Sequence, residues 1–197
     1  MELRLKLVSD PEQLKRESQP ISLKDGKLLV PRLFEFLARN PAGYFLSANQ
    51  VGVDFRVGVL NVRKPLYFIN PRIIKSAVSI KTVESSLSFP NKIVLTERFK
   101  IIAVDADNFE KTMIFGSDLP EIQTTDSIVL EAIMLQALID SMNGITMYDK
   151  LCTSGAQFNQ EPLNNRVTIQ KHGNEKIILK KKLNRFLVNG WAVKSKI

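Results

Sequence analysis

Apolar residues are almost continuous between positions 128 and 149, in the stretch IVLEAIMLQALIDSMNGITMYD. Asp126 and Ser127 precede this stretch and are typical of a helix start, and Asn143-Gly144 is typical of a helix end. The pattern predicts one long helix whose surface is apolar nearly all the way round. A helix of this kind is buried on all sides inside a protein core.

Other parts of the chain show shorter periodic patterns. Segment 28–40, LLVPRLFEFLARN, has apolar residues at helical spacing and Pro31 near its start, which predicts a second helix. The N-terminal residues ELRLKLV alternate between apolar and charged residues, as a strand does. Further strands, rich in β-branched and aromatic residues, are predicted at 55–62, 65–74, 92–98, 99–107 and 110–116. An early helix, central strands and a late buried helix indicate an α+β fold.

The C-terminal part differs from the rest in charge. From Leu163 onwards the chain has nine Lys and Arg residues and one acidic residue, Glu175, so this segment accounts for the whole net charge of +8. Residues 166–182, RVTIQKHGNEKIILKKK, predict a β-hairpin that turns around Gly173-Asn174.

This charge difference predicts a division into residues 1–151, the main domain, and residues 152–197, a basic strand-rich extension. One interpretation of the extension is a charged hairpin exposed to solvent, and the other is an arm that contacts nucleic acid or an acidic protein surface. The candidate partner-binding residues in this arm are Lys180, Lys181, Lys182, Arg185 and Trp191.

The chain has one cysteine, Cys152, and one histidine, His172. An internal disulfide is therefore excluded, and no second Cys or His is available to build a soft-ligand metal site with His172. No basic-then-apolar leader and no apolar run of membrane-spanning length is present. We expect a soluble protein that is made in the cytoplasm without a signal peptide and does not act at a membrane.

Three segments together resemble the peptide deformylase family. GYFLSANQVG (43–52) is similar to the first motif of that family, which reads glycine, a hydrophobe, glycine, leucine, two alanines, any residue and glutamine. YFINPRIIKSAVSIKTVESSLSFP (67–90) is similar to the second, an Ile-Asn-Pro strand followed by Glu-Gly-Cys-Leu-Ser and a proline. QALIDSMNG (136–144) is similar to the third, Gln-His-Glu-x-Asp-His-Leu followed by glycine. The resemblance implies antiparallel or mixed sheets around a central buried helix, here with the basic hairpin extension added.

The resemblance also implies an active site. In the family, two histidines on the central helix and the motif cysteine hold a divalent metal, and a glutamate moves a proton from the metal-bound water. At the matching positions this chain has Ser86 for the cysteine, Ala137 and Ser141 for the histidines, and Leu138 for the glutamate. These side chains do not form such a centre, so we expect no catalytic residue, no metal and no cofactor here.

Among the other motif positions, Gln50 and Leu87 match the family and Phe45 does not. In an active relative, Gln50 and the backbone N–H of Leu87 would polarise the formyl oxygen of the substrate. Their alternative role is structural, as hydrogen bonds that tie the motif loops to the sheet. Phe45 stands where the first motif has its second glycine, and we expect its ring to narrow the substrate groove.

The missing ligands predict a pseudoenzyme, a catalytically inactive family member that serves as a structural or protein-binding subunit of a larger assembly. A phage virion component, in a tail or baseplate, is the assembly that we expect, with other protein subunits as partners. Two alternatives remain open. One is a nucleic-acid- or ribosome-associated protein that binds through the basic arm, and the other is a hydrolase with a site rebuilt around Asp140.

Overall fold

The computed structural model describes residues 5–119, 121–123 and 125–152, and the backbone of residues 166–171, 174–179 and 192–193. The chain divides into two compact units, Met1–Thr153 and Ser154–Ile197. The helices of the first unit are α1 (Pro11–Leu14), α2 (Leu23–Ala38) and α3 (Ser127–Met142), with 3₁₀ helices at Ala48–Val51 and Met147–Lys150. Its strands are β1 (Phe45–Ser47), β2 (Val57–Asn61), β3 (Pro65–Ile69), β4 (Arg72–Ser86), β5 (Phe89–Asp105) and β6 (Met113–Gly116).

The strands of the first unit form two three-stranded antiparallel sheets. One has the order β1-β2-β3 and the other β4-β5-β6, so β1 and β4 are edge strands. A register shift between Glu84 and Ser86 interrupts the β4–β5 ladder just before the turn. Such an irregularity bends a strand locally and redirects its side chains.

Helix α3 is the centre of the unit and contacts strands of both sheets. Ile133, Leu135 and Leu138 are among its fully buried side chains. Gly58 on β2 allows the helix to approach closely, because a Cβ at that position would lie 2.5 Å from Leu138 Cδ1. The α+β architecture with antiparallel sheets around a buried helix, predicted from the sequence, is therefore confirmed.

The ends of α3 agree with the start and stop signals in the sequence. Asp126 is the N-cap, and the helix ends at Met142 with Asn143 as its C-cap. Gly144 then adopts φ +71°, a left-handed conformation that glycine takes at little cost. The last residues of the apolar stretch form the separate 3₁₀ helix Met147–Lys150.

Helix α2 begins earlier than predicted, at Leu23 instead of residue 28. The Ser22 hydroxyl caps it by accepting a hydrogen bond from the Asp25 N–H at 3.1 Å. Pro31, predicted near the helix start, consequently lies inside the helix. Leu33 and Leu37 are buried and pack in a second core cluster with β1 and β2 residues.

Two strand predictions are wrong. Residues 5–8 of the predicted N-terminal strand are not in a strand, although the Val8 N–H donates to the Gln50 carbonyl at 2.8 Å. The predicted strand 65–74 is broken at Asn70, which has φ +50°, so that β3 ends at Ile69 and the separate strand β4 begins at Arg72. The strands predicted at 92–98 and 99–107 are one continuous strand, β5.

The second unit contains strands β7 (Arg166–Lys171), β8 (Asn174–Leu179) and β9 (Ala192–Val193), in the order β8-β7-β9. Strands β7 and β8 pair antiparallel from Arg166↔Leu179 to Lys171↔Asn174, which is the predicted hairpin. Within the described parts of the chain, no helix is long and apolar enough to cross a membrane.

Candidate functional site

The three segments that resemble family motifs meet at one cleft of the first unit. Its lining includes Phe45 and Gln50 from the first segment, Ser86 and Ser88 from the second, and Ala137 and Ser141 from α3. The structure thus brings together the predicted positions Ser86, Ala137 and Ser141. Leu138 is different, because it is fully buried and packs towards Gly58 on β2.

Gln50 lines this cleft and is 3% exposed. Its Oε1 accepts a hydrogen bond from the Ser47 N–H at 3.0 Å, which fixes the side-chain amide against the end of β1. Its Nε2 lies 3.4 Å from both Ser86 Oγ and Ser88 Oγ. These two bonds are near the long limit for a hydrogen bond, so the amide retains donor capacity for another acceptor.

A group of short hydrogen bonds connects the first segment to α3. Ser47 Oγ lies 2.7 Å from Ser141 Oγ and 2.6 Å from Asn49 Oδ1. Asn49 Nδ2 donates to the Ser141 carbonyl at 2.6 Å. Each hydroxyl has one proton, and the distances favour Ser47 donating to Asn49 and Ser141 donating to Ser47. Both hydroxyl protons are then used inside the protein.

A buried arginine holds two carboxylates beside the cleft. Arg98 donates to Glu84 Oε2 from Nε at 3.0 Å and from Nη2 at 2.7 Å, and from Nη1 to Asp140 Oδ2. Thr96 Oγ1 adds a bond to Glu84 Oε2 at 3.0 Å. Burial lowers the pKa of Arg98, but the charges of Glu84 and Asp140 raise it by more, so the net pKa is raised. The guanidinium therefore stays charged.

The side chains at the expected metal position do not fit a transition metal. Ala137 has no donor atom, and the hydroxyls of Ser86 and Ser141 are neutral ligands already bonded to other side chains. Asp140 is bonded to Arg98, whose positive charge disfavours a second cation nearby. The part of the chain that the structure describes contains no group of three or more His, Cys, Asp and Glu residues arranged to bind a metal.

Three residues of the site are absent from the sequence predictions: Ser47, Asn49 and Arg98. Ser47 could have been found from the sequence. It stands where the first motif has an alanine, and its partner Ser141 stands where the third motif has a histidine. Arg98 could not have been found in this way, because its position on β5 belongs to none of the three segments. The predicted partner-binding residues Lys180, Lys181, Lys182, Arg185 and Trp191 lie outside the described residues, and their role stays a prediction.

Comparison with known proteins gives a consistent result. A family model for polypeptide deformylase matches residues 4–157. The peptide deformylase of Rhizobium meliloti (strain 1021) is 31% identical over 152 residues, which are 73% of this chain and 81% of the relative. Peptide deformylase 2 of Clostridium acetobutylicum is 29% identical over 121 residues, 59% of this chain and 81% of the relative. The crystal structure of peptide deformylase from Thermotoga maritima has a TM-score of 0.62 at 25% identity and covers 76% of this chain and 97% of that chain.

These relatives are named as enzymes, which corrects the functional predictions made from the sequence. The prediction of a catalytically inactive pseudoenzyme is wrong, and so is that of a structural subunit of a phage virion, tail or baseplate. The alternative of a nucleic-acid- or ribosome-associated protein is contradicted by the same names. Of the classes considered, the hydrolase is the one that agrees with the relatives.

Proposed function

Since the chain belongs to the polypeptide deformylase family, we propose that it is a hydrolase that acts on the amino-terminal end of peptides, with N-formyl peptides as its substrates. The names of the relatives supply this substrate class. The observation that carries the proposal is the meeting of the three matched segments at one cleft, which the buried Gln50 amide lines. Each role below is part of the proposal.

Gln50 binds the carbonyl oxygen of the formyl group. Its Nε2 makes bonds of 3.4 Å to Ser86 and Ser88, and a carbonyl oxygen at the normal distance of about 2.9 Å is a better acceptor than either hydroxyl. The opposite end of the amide is fixed by the Ser47 N–H. A fixed donor aimed at the position where negative charge develops lowers the barrier to attack on a carbonyl.

Glu84 holds the water that attacks the formyl carbon. Among the described residues, it is the carboxylate that lines the cleft, and the hydrogen bonds found for it all end on Oε2. Its second oxygen, Oε1, is therefore the one that accepts a proton from water. Addition of the water oxygen to the formyl carbon and cleavage of the C–N bond give formate, and the proton passes to the departing amine.

The remaining lining fits the side chain and backbone of a peptide. The apolar part of the lining includes Phe45, Phe89, Ile145 and Met147. The edge strands β1 and β4 also end at this cleft, and an edge strand offers unpaired backbone groups to an extended peptide. An apolar amino-terminal residue with a formyl group is the ligand that this combination suits best.

The test is a formate-release assay with the full-length chain and an N-formylmethionyl tripeptide, with peptide binding measured in parallel by calorimetry. We expect formate release by the wild type, and a loss of about 10²-fold in kcat/KM for Gln50→Leu. Glu84→Gln is expected to lower kcat by about 10²-fold or more while peptide binding is kept. Gln123→Leu, at an exposed position away from the cleft, is the matched control. The proposal would be refuted if the folded wild type neither bound the peptide nor released formate from it.

A further inference from the structure

A continuous set of hydrogen bonds crosses the position where relatives are expected to hold a metal. It runs from Ser86 Oγ to Gln50 Nε2 (3.4 Å), from Gln50 Oε1 to the Ser47 N–H (3.0 Å), and from Ser47 Oγ to Ser141 Oγ (2.7 Å). We call these four residues the hydroxyl bridge. The bridge joins the end of β4 to the last turns of α3 through the end of β1 and the 3₁₀ helix that follows it.

The two ends of the hydroxyl bridge are the positions of two metal ligands implied by the family resemblance. A thiolate at residue 86 and an imidazole at residue 141 would be joined through a metal ion. Here two neutral hydroxyls are joined instead through the Gln50 side chain and the N–H and hydroxyl groups of Ser47. Gln50 is 3% exposed and Ser47 is fully buried, so the bond between them is buried, and the bonds to Ser86 and Ser141 are part-buried. Hydrogen bonds in such surroundings are strengthened by the low local dielectric.

The charges beside the bridge also disfavour a cation. Glu84 and Asp140 are the carboxylates nearest to this region, and both are bonded to the guanidinium of Arg98. Lys150 Nζ lies 4.0 Å from Asp140 Oδ2 and adds a second positive charge. A divalent ion would have to displace Arg98 or compete with it, since both carboxylates are already neutralised.

We infer that the hydroxyl bridge replaces a metal centre, and that this cleft works without a bound transition metal. The bridge performs part of the structural role of a shared metal, because its short bonds fix the first segment against α3. Its 3.4 Å bond to Ser86 is the one that a bound substrate carbonyl replaces. For the chemistry, the inference deepens the proposed function and rests on it: hydrolysis in this chain depends on its own side chains and is insensitive to chelators.

The test uses the full-length chain, loaded with Zn²⁺, Ni²⁺ or Co²⁺ and then dialysed against metal-free buffer. Metal content is measured by mass spectrometry, and the thermal midpoint of unfolding is measured with and without EDTA. We expect far less than stoichiometric metal and an unchanged midpoint. A stoichiometric amount of metal after dialysis, or a midpoint that falls on addition of EDTA, would overturn the inference.

A variant with the three ligands restored serves as the positive control. Ser86→Cys, Ala137→His and Ser141→His together place a thiolate and two imidazoles at one point, with the imidazoles four residues apart on one helix face. We expect this variant to take up Co²⁺ with the visible absorption of a thiolate-bound ion, and the wild type to show none. A restored variant that does not fold leaves the wild-type measurements decisive.

The outcome for the inference is distinguishable from the outcome for the proposed function. A metal-free wild type that releases formate supports both. A metal-free wild type that neither binds nor hydrolyses the formyl peptide refutes the proposed function and leaves the hydroxyl bridge in place. Formate release that is lost with the metal on chelation supports the function and refutes the inference.

Discussion

Ser47 Oγ and Ser141 Oγ lie 2.7 Å apart although the two residues are 94 positions apart in the sequence. Ser47 ends the edge strand β1, and Ser141 lies in the last turn of the central helix. Their hydrogen bond therefore connects the two elements that define the cleft. Asn49 strengthens the connection through its own bonds to both residues.

A double-mutant cycle of Ser47→Ala and Ser141→Ala measures this connection. Each single change removes a part-buried hydrogen bond, and we expect each to lower the free energy of unfolding by about 1 kcal/mol. The two effects are expected to be less than additive, because both changes remove the same bond. Urea unfolding of the four proteins gives the values.

Ser79→Ala is the control for that cycle, since the Ser79 hydroxyl bonds Glu97 on the exposed part of the β4–β5 ladder. Its effect on the free energy of unfolding should stay within about 0.5 kcal/mol. Strict additivity of Ser47→Ala and Ser141→Ala would show that the two hydroxyls do not interact in solution.

Replacement of Arg98 should be among the most destabilising single changes in the first unit. Arg98→Met leaves Glu84 and Asp140 buried without their partner, which costs about 3–5 kcal/mol. Arg39→Met, in an exposed pair with Glu35, should cost less than about 1 kcal/mol. Chemical denaturation of both variants compares them. Equal, small effects would mean that Arg98 is not buried with the two carboxylates.

Asp149 gives the protein a defined dependence of stability on pH. Its pKa is lowered because its carboxylate accepts hydrogen bonds from the Thr146 hydroxyl at 2.7 Å and the Thr146 N–H at 2.8 Å. The ionised form is favoured in the folded state, so the stabilisation is present above the unfolded pKa of about 4 and is lost as pH falls through the lower folded pKa.

Asp149→Asn should therefore be less stable than the wild type at neutral pH, with a difference that shrinks as the pH is lowered below about 4. Unfolding curves at several pH values give the difference. Asp118→Asn, at an exposed position, is the control. If the difference in the free energy of unfolding between the wild type and Asp149→Asn grew on acidification, the Asp149 carboxylate would not be stabilised in the folded state.

Phe45 should limit the size of the peptide residue that the cleft admits. Its side chain lines the cleft, is 7% exposed and belongs to the same core cluster as Ala137. Phe45→Leu removes part of this wall, so we expect a lower KM for the N-formylmethionyl peptide and a loss of about 1–2 kcal/mol in stability. Phe34→Leu, in the other core cluster, is the control for the loss of stability alone. An unchanged KM for Phe45→Leu would mean that the side chain of the bound peptide residue does not contact Phe45.

Local sequence patterns predicted those parts of the fold in which one strong local preference of the residues decides the structure, as in helix α3. The continuous apolar residues of α3 predicted its burial, because an exposed helix of that composition is unfavourable. Asp126 predicted its start and occupies the N-cap position, although its carboxylate accepts a hydrogen bond from the Gln123 N–H and not from the first turn of the helix. Asn143-Gly144 predicted the helix end in the same way, because glycine adopts the left-handed conformation found at residue 144 at little cost. The 3₁₀ helix that follows was not predicted, since its apolar residues continue the pattern of α3.

For the site, the sequence predicted which residues come together but not the hydrogen bonds and ion pairs that they make. The resemblance placed Ser86, Ala137 and Ser141 at one point, since the family fold brings those motif positions together. It did not predict the partners of these residues, which depend on contacts across distant parts of the chain. The bond between Ser47 and Ser141 and the pairing of Arg98 with Asp140 are of this kind. Such contacts follow from tertiary structure, and no local pattern indicates them.

Hydrolysis of a peptide's formyl group by the side chains of this cleft can be measured as formate release. The full-length chain is treated with chelator and given an N-formylmethionyl tripeptide. We expect release by the wild type, and release that is lower by about 10²-fold in Gln50→Leu. Release no faster than that from the peptide alone, by wild-type protein shown to be folded, would contradict it.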